Sequence, residues 1–206
     1  VIDASVAPDV YVDLAGRREW TIRYVLETHI HADHLSRAKD LTQRTGAALL
    51  LPAQPRAKFP FTPVADGERI QVGNATLAAI HTPGHTNEST SYVLDDVAVF
   101  TGDTLFTNSV GRPDLHANAE AARERARVLF LSLTRLRQLP PGMVVLPAHA
   151  GEPIPFDRQP IATRVHDVSI WLSDWIASQS AFVERVTSRL PPTPPNFVRI
   201  VELNEV

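Results

Sequence analysis

The sequence contains no cysteine among its 206 residues. It can therefore form neither a disulfide bond nor a thiolate metal site, so any bound metal must be held by histidine, aspartate or glutamate. No apolar run approaches the ~20 residues that a membrane-spanning helix requires. No signal peptide is recognisable either, which favours a cytoplasmic location.

Lysine and net positive charge are also scarce. Only two of the 20 basic residues are lysines, Lys39 and Lys58, and the 23 acidic residues give a formal net charge of -3. This balance gives no electrostatic case for binding nucleic acid or an anionic membrane. Apolar residues make up 44% of the chain and charged residues 21%, which is an ordinary globular composition. We expect a single domain over residues 1–206, with residues 152–206 as a helical and proline-rich C-terminal extension.

The pattern of apolar residues predicts a mixture of strands and helices. Ser89–Leu94 and Val97–Thr101 are predicted to form a hairpin, and Asn118–Leu139 is predicted as the longest helix. Phe197–Leu203 is predicted as a final strand. This mixture argues against a purely parallel doubly wound sheet, and it fits helices packed outside two β-layers.

The segment Thr28–His34 concentrates metal-binding side chains in one short loop after a predicted strand. It contains four of them: His29, His31, Asp33 and His34. In extended backbone, residues i and i+2 point the same way, so His29 and His31 can bind one metal together. Asp33 and His34 then project from the turn toward a second position. Burying so many polar groups without a partner would be costly. A solvated, histidine-rich turn is the alternative explanation.

Three further candidate ligands follow other predicted strands. His85, Asp103 and His149 each come directly after the end of a strand. Taken alone, each is more often an ordinary turn residue. Because loops at one edge of a sheet can converge, their shared placement predicts that they join the histidine-rich loop in a metal site.

The segments THIHADH, TPGHT, TGDTLF and PAH, in this order, resemble the metallo-β-lactamase superfamily. The resemblance covers about Val1 to Gly151. It implies an α/β (α+β) fold, an αββα sandwich with the metal site at one end of the sheets. Such folds normally begin with strands that precede the Val1–Asp3 segment, so we expect the numbering to begin inside a domain.

Within this superfamily, ETHIHADH, GDTLF and Val110–Leu115 resemble persulfide dioxygenases and their rhodanese-associated relatives. The tail Pro194–Phe197 is similar to the end of that group. The resemblance implies one Fe(II) per chain, held by His29, His85 and Asp103, with coordination positions left open for substrate and O₂. The reaction implied is oxidation of glutathione persulfide, or a related low-molecular-weight persulfide, to sulfite and the parent thiol.

In that arrangement the remaining candidate ligands orient the iron ligands from outside: His31, Asp33, His34 and His149. Glyoxalase II, a hydroxyacylglutathione hydrolase, is similar over many of the same positions and implies two Zn(II) ions instead. His29, His31 and His85 would then hold one zinc, and a bound hydroxide would attack a thioester. The second zinc would have the remaining ligands, with Asp103 bridging: Asp33, His34 and His149. A non-catalytic metal-binding module is a third alternative.

Three residues outside the ligand set are candidates for supporting roles. Arg112 is a clamp for a substrate carboxylate, part of a salt bridge that holds the site loop, or an ordinary surface arginine. Asp114 either accepts a hydrogen bond from a ligand histidine or from Arg112, or caps a turn. Arg164 is the one residue retained from an Asn-Pro-Arg-Leu stretch that relatives carry, which implies a substrate contact. The resemblance also suggests a rhodanese partner, and a homodimer is compatible with it.

Overall fold

The structure is a computed structural model that describes residues 1–155, 157, 159–188, 190 and 192–206. Its elements, in chain order, are α1 (Pro8–Arg17), β1 (Tyr24–Leu26), α2 (Ala38–Thr45), β2 (Ala48–Pro52), β3 (Thr62–Val64), β4 (Arg69–Val72), β5 (Ala75–His81), β6 (Thr90–Leu94), β7 (Ala98–Gly102), α3 (Ala119–Leu136), β8 (Val144–Pro147), β9 (Thr163–Arg164), α4 (Val165–Trp175), α5 (Gln179–Ser188) and α6 (Phe197–Asn204). No helix of the described residues has the length and apolar character that crossing a membrane requires.

The chain divides into two units, the first formed by Val1–Ala65 with Thr193–Val206 and the second by Asp66–Pro192. In the first unit, β1, β2 and β3 form a three-stranded parallel sheet in that order. Ile2 adds an isolated parallel bridge to Leu26. A small apolar core forms around four buried residues, Ala4, Val25, Ala38 and Leu41.

The second unit is built on a six-stranded sheet in the order β4-β5-β6-β7-β8-β9. Neighbouring strands in this sheet are antiparallel except β7 and β8, which are parallel. The long helix α3 connects these two strands. The predicted hairpin is β6–β7. Asn118 caps α3, and its side chain accepts a hydrogen bond from the Ala121 backbone amide. Leu129, Leu133 and Leu172 are among the fully buried residues of the unit's core.

The predicted final strand Phe197–Leu203 is wrong, because this segment is helix α6. The less exposed residues of α6 are Phe197, Ile200, Val201 and Asn204, which is the i, i+3, i+4, i+7 spacing of one helix face. A strand would instead have buried alternate residues, yet Arg199 and Leu203 are exposed. Apolar residues at both spacings made the sequence pattern ambiguous over these few residues.

Candidate metal centre

The histidine loop, residues Thr28–His34, follows β1 at the carboxyl edge of the first unit's parallel sheet. Loops at this edge are where sites are usually built. His29 and His31 are buried, with exposed fractions of 2% and 1%. The ring centroids of His29 and His31 are 4.3 Å apart, and those of His31 and His34 are also 4.3 Å apart.

The tautomer of His29 is set by a hydrogen-bond relay from Asp3. The Thr28 hydroxyl donates to Asp3 Oδ2 over 2.8 Å, and the Thr28 backbone amide donates to Asp3 Oδ1 over 2.7 Å. Because a hydroxyl has only one hydrogen, Thr28 Oγ1 must accept from His29 Nδ1, which lies 2.9 Å away. His29 Nε2 therefore carries a lone pair, the form in which a neutral imidazole binds a metal.

His31 is held through its Nε2 atom by two buried carboxylates. Glu27 Oε2 lies 2.9 Å and Asp3 Oδ1 3.3 Å from this nitrogen, which therefore carries the proton. Burial acts to lower the pKa of His31, but the charges and hydrogen bonds of Asp3 and Glu27 outweigh it and raise the pKa well above its usual range. This environment demands positive charge on the ring. A metal ion at Nδ1 would supply it in place of a proton.

The turn after His31 adds a carboxylate and a third imidazole. Asp33 Oδ2 lies 3.0 Å from His34 Nδ1. His31 Nδ1 and His34 Nε2 are buried and have no hydrogen-bond partner among the described residues. His31, Asp33 and His34 each offer a ligand atom within 4.8 Å of the others. Buried polar nitrogens are normally satisfied, so these two atoms fit a divalent cation bound by nitrogen and oxygen.

In the second unit, His85 follows β5 on the Pro83-Gly84 turn. The Arg112 backbone carbonyl lies 2.9 Å from His85 Nδ1. Since a carbonyl can only accept, Nδ1 donates its hydrogen and Nε2 carries the lone pair. This Nε2 lies 3.6 Å from Asp103 Oδ2. A buried imidazole nitrogen and a carboxylate oxygen thus face each other as two metal ligands would.

Asp103 and His149 meet because β7 and β8 are parallel neighbours. Asp103 follows β7, His149 follows β8, and the Ala148 amide donates to the Gly102 carbonyl between them over 3.1 Å. His149 Nδ1 lies 2.7 Å from Asp103 Oδ1. The Oδ1 atom of Asp103 thus faces His149, and its Oδ2 atom faces His85.

The turn Val110–Asp114 supports both of these ligands. A Cβ atom on Gly111 would overlap the Asp103 carbonyl oxygen. Arg112 makes a two-pronged ion pair with Asp114, with Nε 2.7 Å from Oδ1 and Nη2 2.6 Å from Oδ2. The salt bridge expected of Arg112 is thus present, and its role as a clamp for a substrate carboxylate stays a prediction. Asp114 accepts from Arg112.

We expect Arg112→Gln to lower the free energy of unfolding by about 2 kcal/mol, because it leaves Asp114 charged and mostly buried. Both side chains of the pair are only 14% exposed. Denaturant unfolding of the single and double variants with Asp114→Asn would measure the coupling, which we expect to reach about 1 kcal/mol. Arg199→Gln is the control, because its pair with Glu202 is exposed and contributes less than about 0.5 kcal/mol. Equal effects at positions 112 and 199 would contradict this prediction.

The third predicted supporting residue, Arg164, lies in β9. Its Nη1 atom donates to the Gly142 carbonyl over 2.8 Å, and its backbone pairs with Val144. The substrate contact expected of Arg164 stays a prediction.

Sequence reasoning missed Asp3, Glu27 and Asn204, which form hydrogen bonds to residues of the histidine loop. The Asn204 amide donates to the carbonyls of His31 and His34 over 2.9 Å each. Glu27 immediately precedes the loop, and its charge at the end of an apolar strand was the available signal. Nothing in the local sequence marks Asn204, because its role depends on where α6 packs within the first unit.

Comparison with known proteins gives consistent matches over this part of the chain. The sequence profile described as metallo-beta-lactamase superfamily matches residues 1–56 and 50–149. The hydroxyacylglutathione hydrolase of Methylococcus capsulatus is 34% identical over 151 residues, which are 72% of this chain and 56% of that protein. The chain therefore spans little more than half the length of this curated relative.

Two crystal structures extend the similarity to nearly the whole chain. A metallo-beta-lactamase from Staphylococcus aureus superposes with a TM-score of 0.88 at 26% identity, covering 99% of this chain and 64% of that one. ETHE1 from Myxococcus xanthus superposes with a TM-score of 0.82 at 29% identity, covering 99% of this chain and 86% of that one.

Proposed function

We propose that this chain, which belongs to the metallo-β-lactamase superfamily, is a persulfide dioxygenase. Its motifs predicted the superfamily, and the mixed α/β fold is the one that the resemblance implied. Its substrate would be glutathione persulfide or a related low-molecular-weight persulfide. The balanced reaction is RSSH + O₂ + H₂O → RSH + SO₃²⁻ + 2H⁺, in which the outer sulfur is oxidised and O₂ is reduced. One Fe(II), held by His29, His85 and Asp103, would supply the electron transfer that starts this reaction.

The observation that carries the proposal is the hydrogen bond between His149 Nδ1 and Asp103 Oδ1, 2.7 Å long. In a dinuclear arrangement His149 would bind the second metal and Asp103 would bridge both. The hydrogen bond supports the single-metal arrangement, because His149 would there orient Asp103 and leave Oδ2, on the side of His85, as the ligand atom.

The other protein groups supply orientation. The Thr28 hydroxyl and the Arg112 carbonyl hold one histidine each with Nε2 unprotonated. The similarity to ETHE1, a persulfide dioxygenase, supports the same reaction. It covers 86% of that protein, against 56% of the hydrolase relative.

A dinuclear zinc thioesterase is the second candidate, and a separate observation favours it. His31 Nδ1 and His34 Nε2 are buried without a partner among the described residues, next to Asp33. Nitrogen and oxygen ligands of this kind suit zinc. The 34% identity to a hydroxyacylglutathione hydrolase points to a glutathione thioester as its substrate.

Metal analysis combined with two activity assays separates these candidates. The dioxygenase proposal expects one iron per chain, O₂ uptake with glutathione persulfide and stoichiometric sulfite. The hydrolase expects two zinc ions per chain and cleavage of S-D-lactoylglutathione without O₂. Full loading with two zinc ions and no O₂ consumption by the iron-loaded protein would exclude the dioxygenase.

We expect His149→Ala to retain one iron per chain while its kcat/KM for persulfide falls ~10–100-fold, because Asp103 loses the group that orients it. Iron content by elemental analysis and O₂ uptake by electrode would be measured on the same sample. His166→Ala, an exposed histidine at the start of α4, is the matched control and should match the wild type. Loss of a full metal equivalent from a two-metal protein on His149→Ala would support the zinc enzyme instead.

A rhodanese partner, a homodimer, a cytoplasmic location and a non-catalytic role all stay predictions from the sequence.

A further inference from the structure

One side chain of helix α6 holds the backbone of the histidine loop. Asn204 Nδ2 donates to the carbonyls of His31 and His34, and Asn204 Oδ1 accepts from the Ser36 amide, with all three distances 2.9 Å. A carboxamide has two N–H donors and one oxygen acceptor. Every kind of hydrogen-bonding group on Asn204 is thus engaged with residues 31–36.

These three bonds act on a stretch that lacks regular secondary structure. Residues 31–36 belong to no helix or strand, so helix or sheet hydrogen bonds do not fix their backbone. The stretch nevertheless carries Asp33 and His34, whose ligand atoms lie within 4.8 Å of His31. A bridge from His31 to His34 therefore fixes the separation of the backbone on both sides of Asp33.

A second set of hydrogen bonds connects the same backbone to the ring of His31. The Ser36 hydroxyl donates to Glu27 Oε1 over 2.5 Å, and Glu27 Oε2 lies 2.9 Å from His31 Nε2. Asn204 accepts from the backbone amide of Ser36, so Ser36 takes part in both sets of hydrogen bonds. Displacing Asn204 would loosen both the turn and the partner of the His31 ring.

The position of Asn204 is itself fixed within the first unit. The next residue, Glu205, accepts from Arg56 Nε over 2.7 Å, and its carbonyl accepts from the Lys58 amide over 2.7 Å. Val201, one turn before Asn204, is buried. The end of α6 is therefore anchored independently of the contacts that Asn204 makes.

We propose that Asn204 is a positioning residue for metal binding, through which helix α6 sets the positions of His31, Asp33 and His34. The proposal rests on the metal site of the proposed function. In the zinc arrangement these three side chains are ligands, and in the iron arrangement they are the outer groups that orient the ligands, so a displaced turn weakens metal binding in both. A misplaced turn would leave the ligands present but wrongly spaced, and supporting groups of this kind contribute ~10–100-fold to metal affinity.

Cobalt(II) is a suitable probe, because its visible absorption reports the number and geometry of its ligands. Metal-free wild type, Asn204→Asp and Asn204→Ala would be titrated with Co(II), and thermal unfolding would be followed by circular dichroism. Asn204→Asp keeps the size and the acceptor but removes both donors and faces two carbonyls with a carboxylate. Glu202→Ala is the control, since Glu202 is on the same helix in an exposed pair with Arg199.

We expect both Asn204 variants to bind Co(II) ~10–100-fold more weakly, with altered absorption bands and native circular dichroism. Glu202→Ala should match the wild type. Wild-type affinity and bands in both Asn204 variants, even with a lower melting temperature, would overturn the proposal. So would failure of Asn204→Ala to fold, since the residue would then be needed for packing α6.

The outcome is separable from that of the proposed function. If the wild type binds Co(II) but its iron form does not oxidise persulfide, the dioxygenase assignment fails and the role of Asn204 stands. If the Asn204 variants bind Co(II) normally and the iron form of the wild type oxidises persulfide, the role of Asn204 fails and the dioxygenase assignment stands.

Discussion

Replacing Gly111 with alanine is expected to reduce activity by ~100-fold or more while the protein stays folded. The new Cβ would overlap the Asp103 carbonyl oxygen and would lie 3.2 Å from His85 Cβ. The backbone at one of these positions must therefore move. Displacement of a reacting or ligand group by about 1 Å is enough to cost ~100-fold in rate. Metal content, kcat/KM with the proposed persulfide substrate and far-ultraviolet circular dichroism would be measured together.

Gly142→Ala is the matched control for this experiment. Position 142 precedes β8, and a Cβ there would meet no atom within 4 Å. It should retain wild-type metal content and activity. Wild-type kinetics for Gly111→Ala would show that the Val110–Asp114 turn does not set the position of Asp103.

Replacing Gly84 with alanine is expected to lower the free energy of unfolding by about 4 kcal/mol or more, which places it among the severe single substitutions. Gly84 has φ +137°, a conformation that residues with a Cβ rarely adopt. The added Cβ would lie 2.5 Å from Leu129 Cα, and Leu129 is fully buried in α3. Neither the strained turn nor the helix backbone can relieve such a contact by rotating a side chain.

Denaturant unfolding monitored by circular dichroism tests this prediction. Gly16→Ala is the control, because Gly16 is in α1 and a Cβ there would meet nothing within 4 Å. Alanine inside a helix should raise stability by about 0.5–1 kcal/mol relative to glycine. An unfolding midpoint for Gly84→Ala within error of the wild type would contradict the predicted clash.

The sequence was sufficient to predict the histidine loop because the loop combines local signals. Ligand-type side chains alternate directly after an apolar strand, and both the spacing and the chemistry can be read from neighbouring residues. The strand ends before His85 and Asp103 are local in the same sense. The predicted helix Asn118–Leu139 agrees with α3 (Ala119–Leu136) because its cap and apolar period are strong.

The supporting contacts could not be predicted because they depend on packing between distant parts of the sequence. Asn204 is 170 residues from His34 along the chain. Whether α6 was a helix or a strand decided which of its side chains share a face, and the short apolar pattern there fitted both. The number of bound metals was open for a different reason, since the same imidazoles and carboxylates serve as ligands in one arrangement and as orienting groups in the other.

His29 and His85 differ in how far their tautomers depend on the side chain of the residue that orients them. His85 is oriented by the main-chain carbonyl of residue 112, which any amino acid at that position provides. His29 is oriented by the Thr28 hydroxyl, which serine can replace but valine cannot. Among random substitutions, position 28 should therefore be restricted to hydroxyl residues by the tautomer of His29, whereas the tautomer of His85 should place no such restriction on position 112.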